Sequence, residues 1–93
     1  MIQSFKCKET ARVFDSGFSR KFPTSILKYA IIRLAMLNHS GKLDDLRVPP
    51  SNHLEKLSGD REGQHSIRIN DKYRICFKWQ ENNACDVEIV DYH

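Results

Sequence analysis

The sequence predicts an α+β fold in which two N-terminal helices pack on one face of a small, mainly antiparallel, twisted sheet. Residues 63–93 contain three runs in which β-branched and aromatic residues alternate with polar ones, the period of strands. Residues 23–38 instead carry apolar side chains at a spacing of about 3.6 residues, which is typical of an amphipathic helix. A sheet that is apolar on one face needs a cover, and this helix can supply it.

Length and composition limit the possible classes of protein. With 93 residues, 40% hydrophobic and 29% charged, we expect one small globular domain spanning 1–93. A net charge of +3 is consistent with an anionic partner. Three cysteines without paired spacing indicate reduced thiols. No apolar run approaches the roughly 20 residues of a membrane helix and no signal peptide is visible, so we expect a cytoplasmic protein without a membrane partner.

The chain before the sheet is predicted to begin with a short strand and a short helix. The strand covers 1–5, where apolar and polar residues mix. The helix covers 8–16, with Ala11 and Phe14 three residues apart on a narrow apolar face. Gly17 is a plausible end, because glycine adopts the left-handed conformation that often follows a helix.

The second predicted helix covers 23–38. Thr24 or Ser25 can cap its first backbone N–H groups. Its apolar face consists of Ile26, Leu27, Ala30, Ile31, Leu34 and Leu37. This face is the predicted cover of the sheet.

A connecting segment follows and leads to a further strand. Residues 42–50 end in two prolines, which exclude continued helix, while Leu43 and Leu46 are expected to reach the core. Weak alternation at 53–57 predicts a strand. Residues 58–63 contain two glycines and three charges, and predict a turn.

The three runs after this turn predict an antiparallel meander with turns at 70–71 and 80–83. Alternation places cations on one face, namely Arg68, Arg74 and Lys78. The apolar face is predicted to contain Ile67, Ile69, Tyr73, Ile75, Phe77, Trp79, Cys85, Val87 and Ile89. The sheet is therefore expected to bury one face and to expose a cationic one.

Three motifs carry a resemblance to a known family: Gly-Asp-Arg at 59–61, Tyr-Arg-Ile at 73–75 and Asp-Tyr-His at 91–93. With the opening residues 1–5 and Ile-Arg-Leu at 32–34, they resemble the HigB-type toxins of the RelE/ParE superfamily over essentially the whole chain. The resemblance implies a RelE-like fold and a ribosome-dependent mRNA endoribonuclease, the toxin of a type II toxin–antitoxin system that inhibits translation and growth.

The same resemblance implies a set of partners. These are a HigA-like helix-turn-helix antitoxin that neutralises the toxin, the ribosomal A site with its 16S rRNA, and mRNA. Operator DNA would be contacted only through the antitoxin.

RNA cleavage by attack of the 2′-OH needs a base, an acid and cations that stabilise the charge on phosphorus, but no metal. The candidate groups for proton transfer are His93, Asp91, Tyr92, Glu55 and His53. The candidate groups for binding phosphate or RNA are Arg68, Arg74, Lys56, Arg61 and Lys78. Which group acts as the base and which as the acid stays open.

The strand before Gly-Asp-Arg is where some relatives carry a catalytic histidine, and this chain departs from them there. Glu55 occupies that place, and His53 lies two residues earlier on the same predicted strand face. Both are candidates.

Simpler roles and other functions compete with these assignments. A chain terminus is usually frayed, strand-face arginines are usually solvated, and Arg61 can pair with Asp60 or Glu62. The alternative functions are a toxin of the same fold that poisons DNA gyrase, as in the ParE branch, and an RNA- or protein-binding module. The terminal Asp-Tyr-His and the cationic face favour the nuclease. No zinc-ligand spacing or nucleotide-binding loop is present, so we expect no metal or other cofactor.

Overall fold

The structure is a computed structural model and describes residues 1–91 of the chain. The helices are α1 (Lys8–Ser16) and α2 (Thr24–His39), and the strands are β1 (Glu55–Lys56), β2 (Gln64–Arg68), β3 (Tyr73–Gln80) and β4 (Asn83–Asp91). Single 3₁₀ turns occupy the connections at Leu43–Arg47, Pro50–Asn52 and Gly59–Arg61. The predicted α+β class is confirmed.

The strands are ordered β1-β2-β3-β4, and each pairs antiparallel with the next. One face of this sheet packs against the helices. The core there joins Ile26, Leu27, Ala30, Leu34 and Leu37 of α2 to Ile67, Ile75, Phe77, Val87 and Ile89 of the sheet. Removal of this apolar surface from water is the main force that holds the helices on the sheet.

Helix α1 has the predicted bounds but presents a different face to the core. Its buried residues are Thr10 and Val13, whereas Phe14 keeps 37% of its surface exposed. The narrow apolar face of Ala11 and Phe14 is therefore not the face that packs against the core. The physical reason is a hydrogen bond in which Thr10 Oγ1 accepts the backbone N–H of Ile89 at 2.9 Å, which holds this polar side chain against β4.

Helix α2 covers the sheet as predicted but begins differently. Its N-cap is Pro23 and no side chain caps it, so the predicted cap by Thr24 or Ser25 is wrong. The backbone N–H of Ile26 instead donates to the carbonyl of Pro23 at 3.1 Å. The predicted apolar face is buried except at Ile31, which keeps 38% of its surface exposed.

The segment between α2 and β2 is less regular than predicted. The expected strand at 53–57 shrinks to Glu55–Lys56, because His53 has a left-handed backbone (φ 45°) that a strand cannot contain. Leu46 is fully buried, as predicted. Asn52 is also fully buried, and its Nδ2 donates to the Leu46 carbonyl at 3.0 Å, which ties this segment together.

The first residues of the chain pair with β4 without forming a strand of their own. Isolated parallel bridges join Ile2 to Ala84 and Phe5 to Val87. The predicted strand at 1–5 is therefore wrong, although the predicted pairing with the sheet is observed.

The three-stranded meander is confirmed, and its second turn is tight. Glu81 and Asn82 form the two-residue loop between Gln80 and Asn83, and both have positive φ values, 51° and 63°. This is the conformation of the two-residue turns that suit the twist of antiparallel strands.

Strand β4 contains an extra residue, and this bulge changes which side chains face the core. The register shift lies between Cys76 and Lys78 of β3, and Asp86 at the shift has φ 51°. Before the bulge Cys85 lies opposite Lys78 and shares its face. The prediction that Cys85 faces the core with Val87 is wrong, because strict alternation does not hold across a bulge.

Candidate active site

The sheet face opposite α1 and α2 is hereafter the outer face. Its described members include Glu55, Gln64, Ser66, Arg68, Arg74, Cys76, Lys78, Cys85 and Glu88. The register places Glu55, Ser66, Cys76 and Glu88 side by side, one from each strand. This central row therefore has a carboxylate at each end and small neutral side chains in the middle.

The middle of the central row is closed to solvent. Ser66 and Cys76 are fully buried, although they lie on the outer face. Two guanidinium groups contact polar side chains of the outer face beside them: Arg74, from the neighbouring row, bonds to Ser66, and Arg61, from the turn after β1, bonds to Gln64 and Glu88. Burial raises the pKa of the Cys76 thiol, Glu88 adds to this effect, and the two arginines oppose it. The floor of the site is thus neutral, and its charges lie above it.

Arg74 is held from three directions. Its Nε donates to Ser66 Oγ at 2.8 Å, its Nη2 donates to the His53 carbonyl at 2.6 Å, and its Nη1 lies 3.6 Å from Glu55 Oε1. Only 12% of the side chain is exposed. These contacts fix the orientation of the guanidinium fork beside the central row.

Arg61 lies at the other end of the row. Its Nη1 donates to Gln64 Oε1 at 3.1 Å and to Glu88 Oε1 at 2.8 Å. Lys6 lies 3.9 Å from the same carboxylate oxygen. Arg61 therefore reaches across the sheet to Glu88, instead of pairing within its own turn. Arg61 and Arg74 together place two guanidinium groups over one row.

Arg68 and Lys78 lie on the outer face as predicted, on either side of the central row. Arg68 is directly opposite Arg74 in the neighbouring strand, and its Nη2 contacts the Asp71 carboxylate. Lys78 Nζ lies 3.5 Å from Asp86 Oδ2. These two cations flank Arg61 and Arg74 along the sheet.

Lys56 does not join this group. It pairs with His65, whose ring stacks on the core residue Phe77 at a centroid distance of 6.1 Å. Lys56 therefore lies on the helix-facing side, away from the outer-face cations, and its predicted contact with phosphate or RNA stays a prediction. Adjacent residues of a strand point to opposite faces, and Glu55 takes the outer one.

The two candidate bases before the turn are placed differently from one another. Glu55 lies at the sheet edge with 52% of its side chain exposed, beside Arg74. His53 is not part of the strand, so the argument from strand parity does not apply to it. Its described contact with the site is the backbone carbonyl that accepts from Arg74, and its side chain is exposed.

The predicted catalytic tail is described only in part, since Tyr92 and His93 lie outside the described residues. Asp91 pairs with Tyr73 on the helix-facing side of β3, and its Oδ2 lies 3.7 Å from Lys72 Nζ. The register thus separates Asp91 from the outer-face row. A hollow of about 370 Å³ at this edge is nevertheless lined by both Asp91 and Glu88, so the end of β4 borders both faces.

Sequence reasoning did not select four residues of this site: Lys6, Ser66, Cys76 and Glu88. The alternation in β4 already placed Glu88 opposite the apolar side chains, and this signal was sufficient to find it. Lys6 carried no such signal, because the pairing of the first residues with β4 joins positions more than 80 residues apart.

The described residues, 1–91, contain neither a cluster of metal ligands nor a membrane-spanning helix. Within that range no three His, Cys, Asp or Glu side chains lie close enough to hold a metal ion. No helix in the same range is both long and apolar enough to cross a membrane. The outer-face cluster of guanidinium and carboxylate groups is the candidate active site.

The chain is similar to two named proteins. It is 35% identical over 85 residues to Toxin HigB-1 of Vibrio cholerae, with 90% of each chain covered. It is 30% identical over 93 residues to Endoribonuclease HigB of Proteus vulgaris, with 100% of each chain covered.

The fold resembles that of one chain in a solved complex. A chain of the YoeB-YefM complex from Staphylococcus aureus superposes with a TM-score of 0.61 at 17% sequence identity, over 100% of this chain and 98% of that one. This likeness confirms the RelE-like fold. Residues 3–93 match the HigB-like toxin family, described as the RelE-like toxin of the type II toxin–antitoxin system HigB. The chain therefore belongs to the HigB-like family of RelE-like toxins of type II toxin–antitoxin systems.

Proposed function

We propose that this toxin is a ribosome-dependent mRNA endoribonuclease that works without a metal ion. The main support for the proposal is the position of the Arg74 guanidinium, which is hydrogen-bonded to Ser66 and lies 3.6 Å from the Glu55 carboxylate. A fixed cation beside an exposed carboxylate is the combination that cleavage at the 2′-OH requires. The full-length relative named Endoribonuclease HigB supports the same activity.

In this proposal the scissile phosphate binds above the central row. Arg74 and Arg61 approach it from opposite ends and stabilise the negative charge that grows on its oxygens as the 2′-oxygen attacks. Both arginines are already oriented by hydrogen bonds to the protein, so little reorganisation is needed. Arg68 and Lys78 contact the neighbouring phosphates of the strand.

Glu55 is our candidate for the base that removes the 2′-OH proton. The new P–O bond closes a 2′,3′-cyclic phosphate, the bond to the 5′-oxygen breaks, and an acid returns a proton to that oxygen. We assign the acid to the C-terminal tail, with His93 transferring the proton, Asp91 orienting it and Tyr92 positioning the phosphate or stacking on the base. His53 is the alternative base.

Dependence on the ribosome follows from the small charge of the protein. A net charge of +3 neutralises few phosphates, so free RNA binds weakly. When the toxin is bound at the A site, against 16S rRNA, the ribosome would hold the mRNA over the central row. This proposed action takes place in the cytoplasm.

We also propose that a HigA-like helix-turn-helix antitoxin neutralises the toxin. The similar Staphylococcus fold was solved in a heterotetrameric toxin–antitoxin complex. The antitoxin would occupy the outer face or block ribosome docking from the helices, and it would make the contacts to operator DNA.

The test is primer-extension mapping of mRNA in a purified translation system with the wild type and Glu55→Gln. Cuts in translated mRNA that disappear with Glu55→Gln, and that are absent from untranslated RNA, support the proposal. Efficient cutting of naked RNA overturns the dependence on the ribosome. Growth arrest without any cut, accompanied by loss of DNA supercoiling activity, assigns the toxin to gyrase instead.

A further inference from the structure

A second concave site lies beside the outer face. It is a groove of about 360 Å³, and its lining residues are Ser25, Tyr29, Arg33, Ser51, Arg68, Ile69 and Asn70. We call it the Tyr29 groove. It lies between the first half of α2 and the turn that joins β2 to β3. None of these described lining residues is acidic.

The Tyr29 groove is continuous with the candidate active site through one residue. Arg68 lines the groove and also lies directly opposite Arg74 in the sheet. A chain that passes over Arg74 and continues beyond the central row therefore reaches the groove next.

Two guanidinium groups are held at the wall of the groove. Arg33 Nε donates to the backbone carbonyl of Arg68 at 3.1 Å, which fixes the Arg33 side chain there. Arg68 contacts Asp71, whose side chain is 95% exposed. Exposed ion pairs of this kind contribute little free energy, so an incoming phosphate can replace this carboxylate at small cost.

The groove also presents an aromatic ring to solvent. Tyr29 keeps 52% of its surface exposed. Base stacking on an exposed ring, combined with guanidinium contacts to the backbone, is how proteins hold single-stranded nucleic acid. The hydroxyls of Ser25 and Ser51 add hydrogen-bonding groups for sugar or phosphate oxygens.

We propose that the Tyr29 groove binds the single-stranded RNA that flanks the cleaved phosphodiester, with one base on Tyr29 and its phosphates on Arg33 and Arg68. This inference rests on the proposed nuclease function and extends it. It assigns a substrate-binding subsite away from the reacting atoms. Within that subsite, stacking supplies affinity without demanding a particular base.

The test is a fluorescence-anisotropy titration of the purified protein with a labelled 2′-O-methyl RNA of mixed sequence at low salt. The methyl group blocks attack by the 2′-oxygen, so binding is measured without cleavage. Tyr29→Leu should weaken binding by roughly fivefold or more, and Tyr29→Trp should retain it. Arg68→Gln should reduce the slope of log affinity against log salt by about 0.7, the share of one phosphate.

The matched control is Phe18→Leu, which shortens an aromatic residue with the same exposed fraction, 52%, outside the groove. It should bind like the wild type. Thermal unfolding of each variant checks that the fold is retained. If Phe18→Leu and Tyr29→Leu weaken RNA binding equally, or if the wild type shows no measurable binding, the assignment of the Tyr29 groove to RNA is overturned.

The outcomes separate this inference from the proposed function. If Glu55→Gln abolishes mRNA cleavage but Tyr29→Leu and Arg68→Gln bind RNA like the wild type, the nuclease stands and the groove is rejected. If no protein cuts mRNA but Tyr29→Leu loses RNA binding, the groove stands as an RNA site and the nuclease is rejected. A poly-glutamate peptide that binds the groove more tightly than the RNA overturns the assignment to RNA.

Discussion

Arg74 Nε donates to Ser66 Oγ across β2 and β3 at 2.8 Å, and this contact buries a cation against the floor of the candidate site. The arginine therefore has two functions that a substitution removes together. It donates to the fully buried Ser66 hydroxyl, and it places a guanidinium beside the central row. A test of its catalytic role has to measure stability as well as activity.

Arg74→Ala should lower the cleavage rate by about 10²- to 10³-fold, the usual effect of removing one transition-state donor. It should also lower the free energy of unfolding by about 1–3 kcal/mol, because buried Ser66 and the His53 carbonyl lose their donor. Urea unfolding and mRNA mapping measure the two effects. Arg47→Ala, which removes an exposed cation elsewhere, is the control. Wild-type cleavage by a destabilised Arg74→Ala would make the residue purely structural.

Glu55→Gln should lower cleavage by about 10²- to 10⁴-fold, since an amide cannot accept the 2′-OH proton. The side chain is 52% exposed, so the unfolding midpoint should stay close to that of the wild type. Glu62→Gln, at an exposed position in the next turn, is the matched control. His53→Gln should have a smaller effect, because its described contact is made by the backbone. The reverse order of the two effects would move the base to His53.

Deleting residues 91–93 should nearly abolish growth arrest and ribosome-dependent cleavage while the protein still folds. Within the described chain the deletion removes the Tyr73–Asp91 strand pair and an exposed ion pair to Lys72, which contributes roughly 1 kcal/mol or less. Lys72→Ala removes the ion pair, together with the contact between Lys72 Nζ and the Tyr73 ring at 5.8 Å, but keeps the tail and should remain toxic. His93→Gln should lose much of the activity, because glutamine does not transfer protons near neutral pH. A truncated protein that still cuts mRNA at the wild-type rate excludes the tail from catalysis.

The double substitution Glu81→Asn and Asn82→Gly should stabilise the protein by about 1 kcal/mol. Both residues have positive φ, which costs energy for glutamate in particular and suits asparagine followed by glycine. Thermal unfolding measures the gain. Glu62→Asn, where φ is −55°, should show no comparable gain. An equal gain at both places would exclude backbone conformation as its source.

The stability of the protein should fall as the pH drops through the ordinary imidazole pKa of about 6.5. Burial lowers the pKa of His65 in the folded state, and Lys56 adds to the effect, so the unfolded state binds the proton more readily. The loss should level off below the lowered pKa. His65→Phe, which keeps a ring against Phe77, should remove this part of the pH profile in urea unfolding, whereas His39→Gln controls for loss of an exposed imidazole. An unchanged profile with His65→Phe would rule out His65.

The sequence predicts the sheet well because its signals are local. Alternation over a few residues and the turn before Asn83 suffice to place Arg74 and Glu88 on one face. The same reasoning fails for Thr10 and Cys85. A hydrogen bond to a distant strand decides the orientation of Thr10, and a bulge at Asp86 decides that of Cys85, and neither leaves a mark in a short window of sequence.

The sequence predicted the cations of the candidate site, but it did not predict the hydrogen bonds and ion pairs that hold them. Ser66 and His53, which accept hydrogen bonds from Arg74, lie 8 and 21 residues away in the chain, and Glu88, which accepts from Arg61, lies 27 residues away. Only the folded register brings them together. Composition could therefore indicate a cationic face, while the buried and preoriented state of Arg74 needed the structure.

The bulge at Asp86 lies between the hairpin loop and the candidate site. The alternation of side chains on the loop side of the bulge is therefore out of step with the alternation on the site side. Glu88 and the other residues after the bulge keep their face of the sheet, because their pairing with β3 does not depend on the pairing near the loop. A change in length before the bulge can be absorbed there, whereas the loss of one residue after it would turn Glu88 toward the helices. The hairpin end of this toxin can thus vary in sequence and length while the residues of the central row stay side by side.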